Sequence, residues 1–364
     1  MEILDSVVIG AGQAGLSTSY HLQRRGIDHV VLDADEAPGG AWQHRWDSLT
    51  MHDVHRIAAL PDVEAPTERE GRANEVVPAY FADYERRHHL PVLRPVRVDQ
   101  VVEADEGLLE VRAGERRWLT HTLVNATGTW SRPFVPAYPG AETFRGRQLH
   151  PHDYPGPAAF RGHRVVVVGG GASAVQLLGE IAPVAEDTLW VTRREPVWRT
   201  DDFTPEVGRA AVALVEERVR RGLPPASVVS VTGLALREQE REAERLGAYE
   251  RHPRFTAIEP DGVRMPDGTR WPADVILWAT GFRPAVGHLG PLHLKSRYGG
   301  IQLDATTAVA DPRVQLVGYG PSASTIGANR AGRVAARGVA EWLDAHAFRG
   351  PRGSAPHQRG ALSA

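Results

Sequence analysis

Three observations predict an α/β chain of two Rossmann-like nucleotide-binding units, the second inserted in the first, each carrying a small β-meander. An apolar strand-type run opens twice into a glycine triplet, as Gly10-x-Gly12-x2-Gly15 and as Gly169-x-Gly171-x2-Ala174. The tripeptide Ala-Thr-Gly stands twice at the end of such a run, at 126–128 and at 279–281. From first glycine to Ala-Thr-Gly is 116 residues in one half (10 to 126) and 110 in the other (169 to 279). A single Ala-Thr-Gly is an ordinary turn, whereas two in the same order at nearly the same spacing argue for homologous units.

The first unit opens with a β-type run, Ile3 to Ile9, that feeds directly into the triplet. In such a start the first glycine permits a tight strand-to-helix turn and the second lets backbone approach a pyrophosphate. The third position must be small so that the helix lies close on the strand. Gln13 and Ala14 occupy the variable pair at the start of a helical pattern that ends at Gly26, and the next strand, Val30 to Leu32, closes on Asp33. The pyrophosphate is expected on the helix N-terminus, where free N–H groups and the dipole favour anions. Asp33, about 20 residues on, is expected to accept from an adenosine ribose hydroxyl, with Asp35 as the second candidate. The adjacent glycines of Gly39-Gly40-Ala41-Trp42 allow backbone to pass close to a flat ring system, which adds Gly40 and Trp42 to the candidates. A helix is expected over 78–87 and short strands over 96–102, 108–112 and 117–120. An apolar strand over 122–125 then ends in Ala126, Thr127 and Gly128. Val98, on the first of those strands, is counted with the cofactor-binding residues.

The second unit repeats these events. Gly169 and Gly171 begin its triplet, Ser173 stands inside it, and Ala174 still satisfies the requirement for a small third residue. Its second strand, Leu189 to Thr192, ends on Arg193 and Arg194 where the first unit has an acid. A carboxylate would repel a ribose 2′-phosphate, while a guanidinium binds it through two parallel hydrogen bonds, so this unit points to NADPH over NADH. A meander over 255–258, 262–265 and 270–271, with turns at Asp261-Gly262 and Asp267-Gly268, leads to a strand over 275–278 and then Ala279, Thr280 and Gly281. Residues 196–251 exceed a simple crossover and are expected to form helices near 206–221 and 237–245 that supply substrate specificity. A strand over 314–317, a Gly, Ser and Thr rich loop over 318–327 and a helix over 328–343 return to the first unit. The expected domains are therefore 1–155 with 285–348, and 156–284, followed by a flexible tail over 349–364.

Composition removes several alternatives. A chain of 364 residues suggests about two domains. It has no cysteine, so it has neither a disulfide framework nor the dithiol relay of disulfide reductases. A net charge of -3 with nearly balanced signs offers no basic field for nucleic acid and no polybasic membrane patch. With no signal peptide or membrane span in view, the expectation is a soluble cytoplasmic protein. The oligomeric state is left open, with a homodimer as one option. His150-x-His152-Asp153 and His88-His89 could be drawn as a metal site, but three or four ligands must converge and no recognisable spacing supplies them, so none is expected. No Gly-x-Ser-x-Gly elbow anchors hydrolase chemistry.

Just upstream of the second triplet stands Phe144-x-Gly146-x3-His150-x3-Tyr154. With the two triplets in order and Gly-Gly-x-Trp, it resembles the identifying motif of flavin-containing monooxygenases, which carry it in this place. The resemblance covers roughly residues 1–345 and implies FAD at the first triplet and NADPH at the second. It also implies that Gly39 to Trp42 wraps the isoalloxazine and that the last helix faces its pyrimidine side. Gly318-Tyr319-Gly320 lacks the acid that many two-dinucleotide flavoproteins use to hold the ribityl chain, so backbone, Ser322 or Ser324 is expected there. His52 and Asp53 fall where such enzymes place polar groups near the flavin. They are counted with His150 and Tyr154 as catalytic candidates, the last two aligning NADP with the flavin on the connection between domains. The implied reaction is hydride transfer from NADPH to FAD and formation of a flavin hydroperoxide with O2. Oxygen then passes to an amine nitrogen or a sulfur of a small molecule. The chemistry belongs to the cofactor, which leaves positioning and water exclusion to the protein. Tyr154 is the heteroatom-oxidising type, whereas Pro155 is of the kind that follows the Trp of Baeyer–Villiger relatives. Three alternatives therefore stand beside this reading: Baeyer–Villiger ketone oxygenation, a non-oxygenating NADPH flavoprotein reductase or oxidase, and a redox sensor that signals by domain rotation.

Overall fold

The computed structural model describes residues 2–54, 57–198, 205–225, 233, 234, 236, 240–346 and 348. Strand β1 (Ile3–Ile9), helix α1 (Gln13–Gln23) and strand β2 (His29–Leu32) form the first βαβ start. Helix α2 (Ala73–His88) and strand β3 (Val92–Leu93) precede a meander of β4 (Gln100–Glu103), β5 (Leu109–Ala113) and β6 (Arg116–Asn125). Strand β7 (Arg147–Leu149) leads into the second start, β8 (Arg164–Val168), α3 (Ala172–Ile181) and β9 (Asp187–Val191). Helices α4 (Pro205–Arg220) and α5 (Arg241–Arg245) and strand β10 (Arg251–His252) follow. A second meander consists of β11 (Ala257–Glu259), β12 (Gly262–Arg264) and β13 (Arg270–Pro272), and β14 (Val275–Trp278) comes next. The chain returns through β15 (Leu303–Asp304), β16 (Thr307–Ala308), β17 (Val314–Leu316) and helix α6 (Thr325–Ala345).

The first sheet runs β15-β16-β17-β6-β1-β2-β3 with β4 and β5 paired off β6, and the second runs β10-β9-β8-β14-β7. In the first sheet β17, β6, β1, β2 and β3 are mutually parallel, as are all five strands of the second. Parallel strands covered by helices read as continuous apolar runs, which is why 6–9 and 165–168 are buried throughout. Register places Ile9 beside both Leu32 and Asn125, so that Gly10, Asp33 and Ala126 leave the sheet together. Val168 likewise pairs with Val191 and Trp278, which gathers Gly169, Thr192 and Ala279. Carboxyl ends of strands in such sheets are where ligands bind.

The two starts share one steric constraint. Gly10 has φ +101, and a Cβ there would lie 2.7 Å from the Ala126 carbonyl oxygen; Gly169 has φ +144, with the Ala279 oxygen at 2.1 Å. Each triplet therefore packs its first glycine on the alanine of its own Ala-Thr-Gly. No other residue type fits either place.

Several boundaries differ from the sequence expectation. Helix α2 starts at Ala73 and runs through Pro78, because Ala73, Val77, Tyr80, Phe81 and Tyr84 form a buried face that offsets the one backbone donor proline lacks. The two strands expected over 117–125 are one, with the Thr120 and Thr122 hydroxyls donating to the carbonyls of Leu4 (3.2 Å) and Asp5 (2.8 Å). Val98 precedes β4 instead of lying on a strand. Helix α6 begins at Thr325, capped by Ser324, whose oxygen accepts from the Gly327 N–H at 3.1 Å. Strand β7, expected on the first-domain side of a boundary at 155, is an edge strand of the second sheet. The expected helix over 237–245 appears as α5 from Arg241; residues 237–239 and the tail over 349–364 lie outside the described residues. Among those described, no helix is long and apolar enough to cross a membrane.

Candidate active site

The carboxyl ends of β1, β2 and β6 open onto a crevice of about 560 Å³. Gly10, Gly12, Gln13, Ala14, Asp33, Gly40, Trp42, Val98, Ala126, Thr127, Gly128 and Ser324 line it, which brings twelve of the sequence candidates into one wall. Gly15 lies behind them as a contact residue, since a Cβ there would come within 1.9 Å of the Gly10 oxygen. Gly12 is the opposite case: its Cβ would meet no atom within 4 Å, so the space beyond its backbone belongs to the crevice. Gln13 donates to the Ala58 carbonyl at 2.8 Å, while its side-chain oxygen is buried with no partner among the described residues.

Asp33 is 6% exposed and one of its oxygens accepts from Arg94 Nε at 2.8 Å. The same guanidinium grips Glu85 through two bonds of 2.7 Å. Burial pushes the Asp33 carboxyl up, and Arg94 pulls it back toward the ionised form. Asp35 is engaged elsewhere, with Gln43 and His44 each donating to it at 3.0 Å. Asp33 also accepts from the Ala11 backbone N–H, whereas both Asp35 oxygens are taken by side chains. Sequence reasoning missed Arg94 and Glu85, because a buried ion pair between a helix and a strand end leaves no local pattern.

The two Ala-Thr-Gly ends are tied to each other's connections. Thr127 donates its hydroxyl to the Ala285 carbonyl at 2.7 Å, and Thr280 donates to that of Phe134. Between them the segments near 132–134 and 281–285 run antiparallel, with Phe134 N–H bonded to Gly281 O, Arg283 to Arg132, and Ala285 to Gly128, at 2.8–2.9 Å. Trp130 and Phe282, which follow the two tripeptides, stack at 4.9 Å, with His152 on Trp130 at 5.2 Å and His44 at 6.4 Å. These four rings, all lining the crevice, were not among the sequence candidates. Their only signal was position: each of Trp130 and Phe282 closely follows an Ala-Thr-Gly.

His150 is 3% exposed; its Nε2 donates to the Gly281 carbonyl at 3.0 Å and its Nδ1 accepts from the His152 N–H at 3.1 Å. These partners fix the neutral Nε2–H tautomer, and burial holds the pKa below the usual value. Tyr154 donates to Glu180 Oε2 at 3.1 Å, and Ser48 donates to the same oxygen at 2.6 Å. One carboxylate on α3 therefore joins the loop after Trp42 to the connection between domains. Burial pushes both the Glu180 carboxyl and the Tyr154 phenol up. Tyr154 also stacks on Phe160 at 5.5 Å and meets Trp46 edge-on at 6.0 Å. Neither His150 nor Tyr154 lines the crevice, so both sit in its supporting shell.

His52 and Asp53 are not brought to the crevice. His52 is exposed, and the Asp53 carboxylate accepts from the backbone N–H (3.1 Å) and hydroxyl (2.7 Å) of Thr50, closing a local turn. The two residues expected beside a flavin thus lie on a turn outside the crevice lining.

At the second triplet, Gly171 caps α3, a Cβ there would meet nothing within 4 Å, and Ser173 and Ala174 form its first turn, Ala174 fully buried. Arg193 and Arg194 stand exposed just beyond β9, with no ion pair among the described residues. His152 pairs with Asp153 at 2.7 Å, and among the described residues no group of three His, Cys, Asp or Glu could hold a metal ion.

A family model described as pyridine nucleotide-disulphide oxidoreductase matches residues 7–310. A solved flavin-containing monooxygenase from Stenotrophomonas maltophilia is 38% identical, covering 94% of this chain and 100% of that one with a TM-score of 0.81. A Baeyer-Villiger monooxygenase of Streptomyces coelicolor is 32% identical over 232 residues, 60% of this chain and 42% of the relative. The uncharacterized oxidoreductase CzcO of Bacillus subtilis is 26% identical over 291 residues, 77% of this chain and 81% of that one.

Proposed function

Because the chain belongs to the pyridine nucleotide-disulphide oxidoreductase family and, within it, to the flavin-containing monooxygenases, we propose that it is an NADPH-dependent FAD monooxygenase acting on a nitrogen or sulfur centre of a small molecule. For a sulfide, one sulfide, one O2, one NADPH and one proton give one sulfoxide, one NADP⁺ and one water. The absence of cysteine removes the dithiol half of the family description.

The observation that carries this reading is the single crevice on which Gly10, Gly12, Asp33, Gly40, Trp42 and Ser324 converge. These residues fit FAD. The space beyond Gly12 admits a pyrophosphate at the α1 N-terminus. Asp33 offers an oxygen to a ribose, and the orphaned Gln13 oxygen offers a further acceptor. When bound, FAD would supply the redox and oxygen-transfer chemistry. The protein's own contribution is support. His150 and Thr280 hold the two domain connections together, Glu180 locks the Trp-bearing loop to α3, and the rings of Trp130 and Phe282 exclude water from the mouth. Arg193 and Arg194 are exposed where a 2′-phosphate would arrive, which favours NADPH.

The test is to supply holoenzyme with NADPH, a methyl aryl sulfide and isotopically labelled O2. Labelled sulfoxide at close to one per NADPH is expected; oxidation of NADPH with only hydrogen peroxide as product would overturn the reading. Pro155 and the Streptomyces relative favour a Baeyer–Villiger activity as the second reading, which labelled ester from a ketone would establish.

A further inference from the structure

Two buried donors beside the crevice, Arg45 Nε and Trp130 Nε1, have no acceptor among the described residues. The Arg45 side chain makes no ion pair among the described residues, and its guanidinium carbon lies 4.5 Å from the Trp130 ring centre, 5.5 Å from that of Trp42 and 6.0 Å from that of Trp46. Burial lowers its pKa only to about 10, which leaves it a cation at neutral pH. The acids around it are engaged. Asp47 accepts from Asn74 at 2.8 Å and faces Arg72 at 3.9 Å, while Asp35 is held by Gln43 and His44, and Asp153 by His152. A half-buried cation without a counter-charge is costly, and an anionic ligand removes that cost.

Position says which ligand. A second cavity of about 360 Å³ lies between residues 44–48 and 151–157, and His44, Arg45 and His152 are the side chains that line both it and the crevice. The phosphates of the two dinucleotides have their own places, at the N-termini of α1 and α3 and beside Arg193 and Arg194. Arg45 instead is surrounded by indole faces, which suit a flat organic acid. We propose that Arg45, with the Trp130 ring beside it, seats the carboxylate of an anionic substrate, so that the preferred substrates are sulfides or amines bearing a carboxylate close to a flat apolar group. This deepens the oxygenase reading and rests on it. The same charge repels a purely cationic amine, which makes the selection two-sided.

The experiment compares three sulfides of matched shape on FAD-loaded protein: para-(methylthio)benzoate, thioanisole and para-(methylthio)benzylamine. Sulfoxide formation with NADPH gives kcat/KM, and a titration without NADPH, followed by tryptophan fluorescence, gives Kd. The carboxylate should be favoured over thioanisole by roughly tenfold to a hundredfold, the yield of a charge-assisted contact, with the ammonium compound last. In Arg45→Met the carboxylate-to-thioanisole ratio should fall to near one, while Arg45→Lys, which keeps the charge and loses the planar fork, should retain part of it; FAD content checks that both variants fold. No carboxylate preference in the wild type, or an unchanged ratio in Arg45→Met, overturns the proposal. If that variant instead loses only affinity for NADPH, the guanidinium serves the cofactor and the proposal also fails. A carboxylate preference in Kd with no sulfoxide formed upholds the seat and sinks the oxygenase reading alone.

Discussion

Gly12 and Gly15 belong to one triplet but carry different physical duties. A side chain at Gly12 projects into space that no protein atom occupies, whereas one at Gly15 strikes the Gly10 carbonyl. Gly12→Trp should therefore fold and purify colourless, with its thermal transition close to that of wild-type apoprotein. Gly15→Ala should instead lose about 1–3 kcal/mol of stability through overpacking, readable as a lower melting temperature even without flavin. A Gly12→Trp protein that keeps full flavin would contradict the placement of FAD. Replacing both Arg193 and Arg194 with Ala should lower the preference for NADPH over NADH by about tenfold to a hundredfold, measured as the ratio of flavin-reduction rates at limiting nucleotide. These residues were legible in the sequence because the triplet and the strand-end charge are local patterns with one physical reading. Arg94, Arg45, Trp130 and Glu180 were not, since each acquires its role from a partner distant in the chain.

At the level of elements, the connections between the two sheets carry the coupling. Glu180 on α3 is the shared acceptor of Ser48 and Tyr154, so Glu180→Ala strands two donors and loosens the loop that follows Trp42. The expected result is near-normal FAD content, slower flavin reduction by NADPH and a larger share of reducing equivalents released as hydrogen peroxide. His150→Ala, which frees the Gly281 carbonyl, should show the same pattern. A Glu180→Ala enzyme as tightly coupled as wild type would remove the carboxylate from this role. The duplicated order of strand, triplet and Ala-Thr-Gly was readable because repetition survives divergence in detail. Boundaries were read less well where burial overrode a local signal, as at Pro78 in α2, or where hydroxyls satisfied the backbone, as at Thr120 and Thr122 in β6. His52 and Asp53 were placed by analogy of position, and they lie on the turn closed by Thr50, outside the crevice lining.

Across the whole molecule, a partly buried neutral histidine makes stability depend on pH. His288 lines the crevice, donates to the Asn125 side-chain oxygen at 2.7 Å, and is lowered by burial to about 4. With the folded value depressed, the unfolded chain takes up the proton first, so this stability is complete above about pH 6.5 and is lost as pH falls toward 4. The loss for this one group is on the order of 3 kcal/mol, and His288→Gln should flatten the fall in melting temperature over that interval. The central claim concerns both domains at once: the crevice lined by the stacked Trp130 and Phe282 would hold FAD where NADPH can reach it, and the proposed oxygenase activity requires that flavin to transfer oxygen to a substrate. The most direct measurement is to reduce the FAD-loaded protein anaerobically with NADPH, mix it rapidly with oxygenated buffer and follow the flavin spectrum. The account predicts a transient oxygenated flavin that persists while NADP remains bound and that an added sulfide shortens with sulfoxide formed in equal amount; reoxidation in one step, with no intermediate and all oxygen leaving as peroxide, would contradict it.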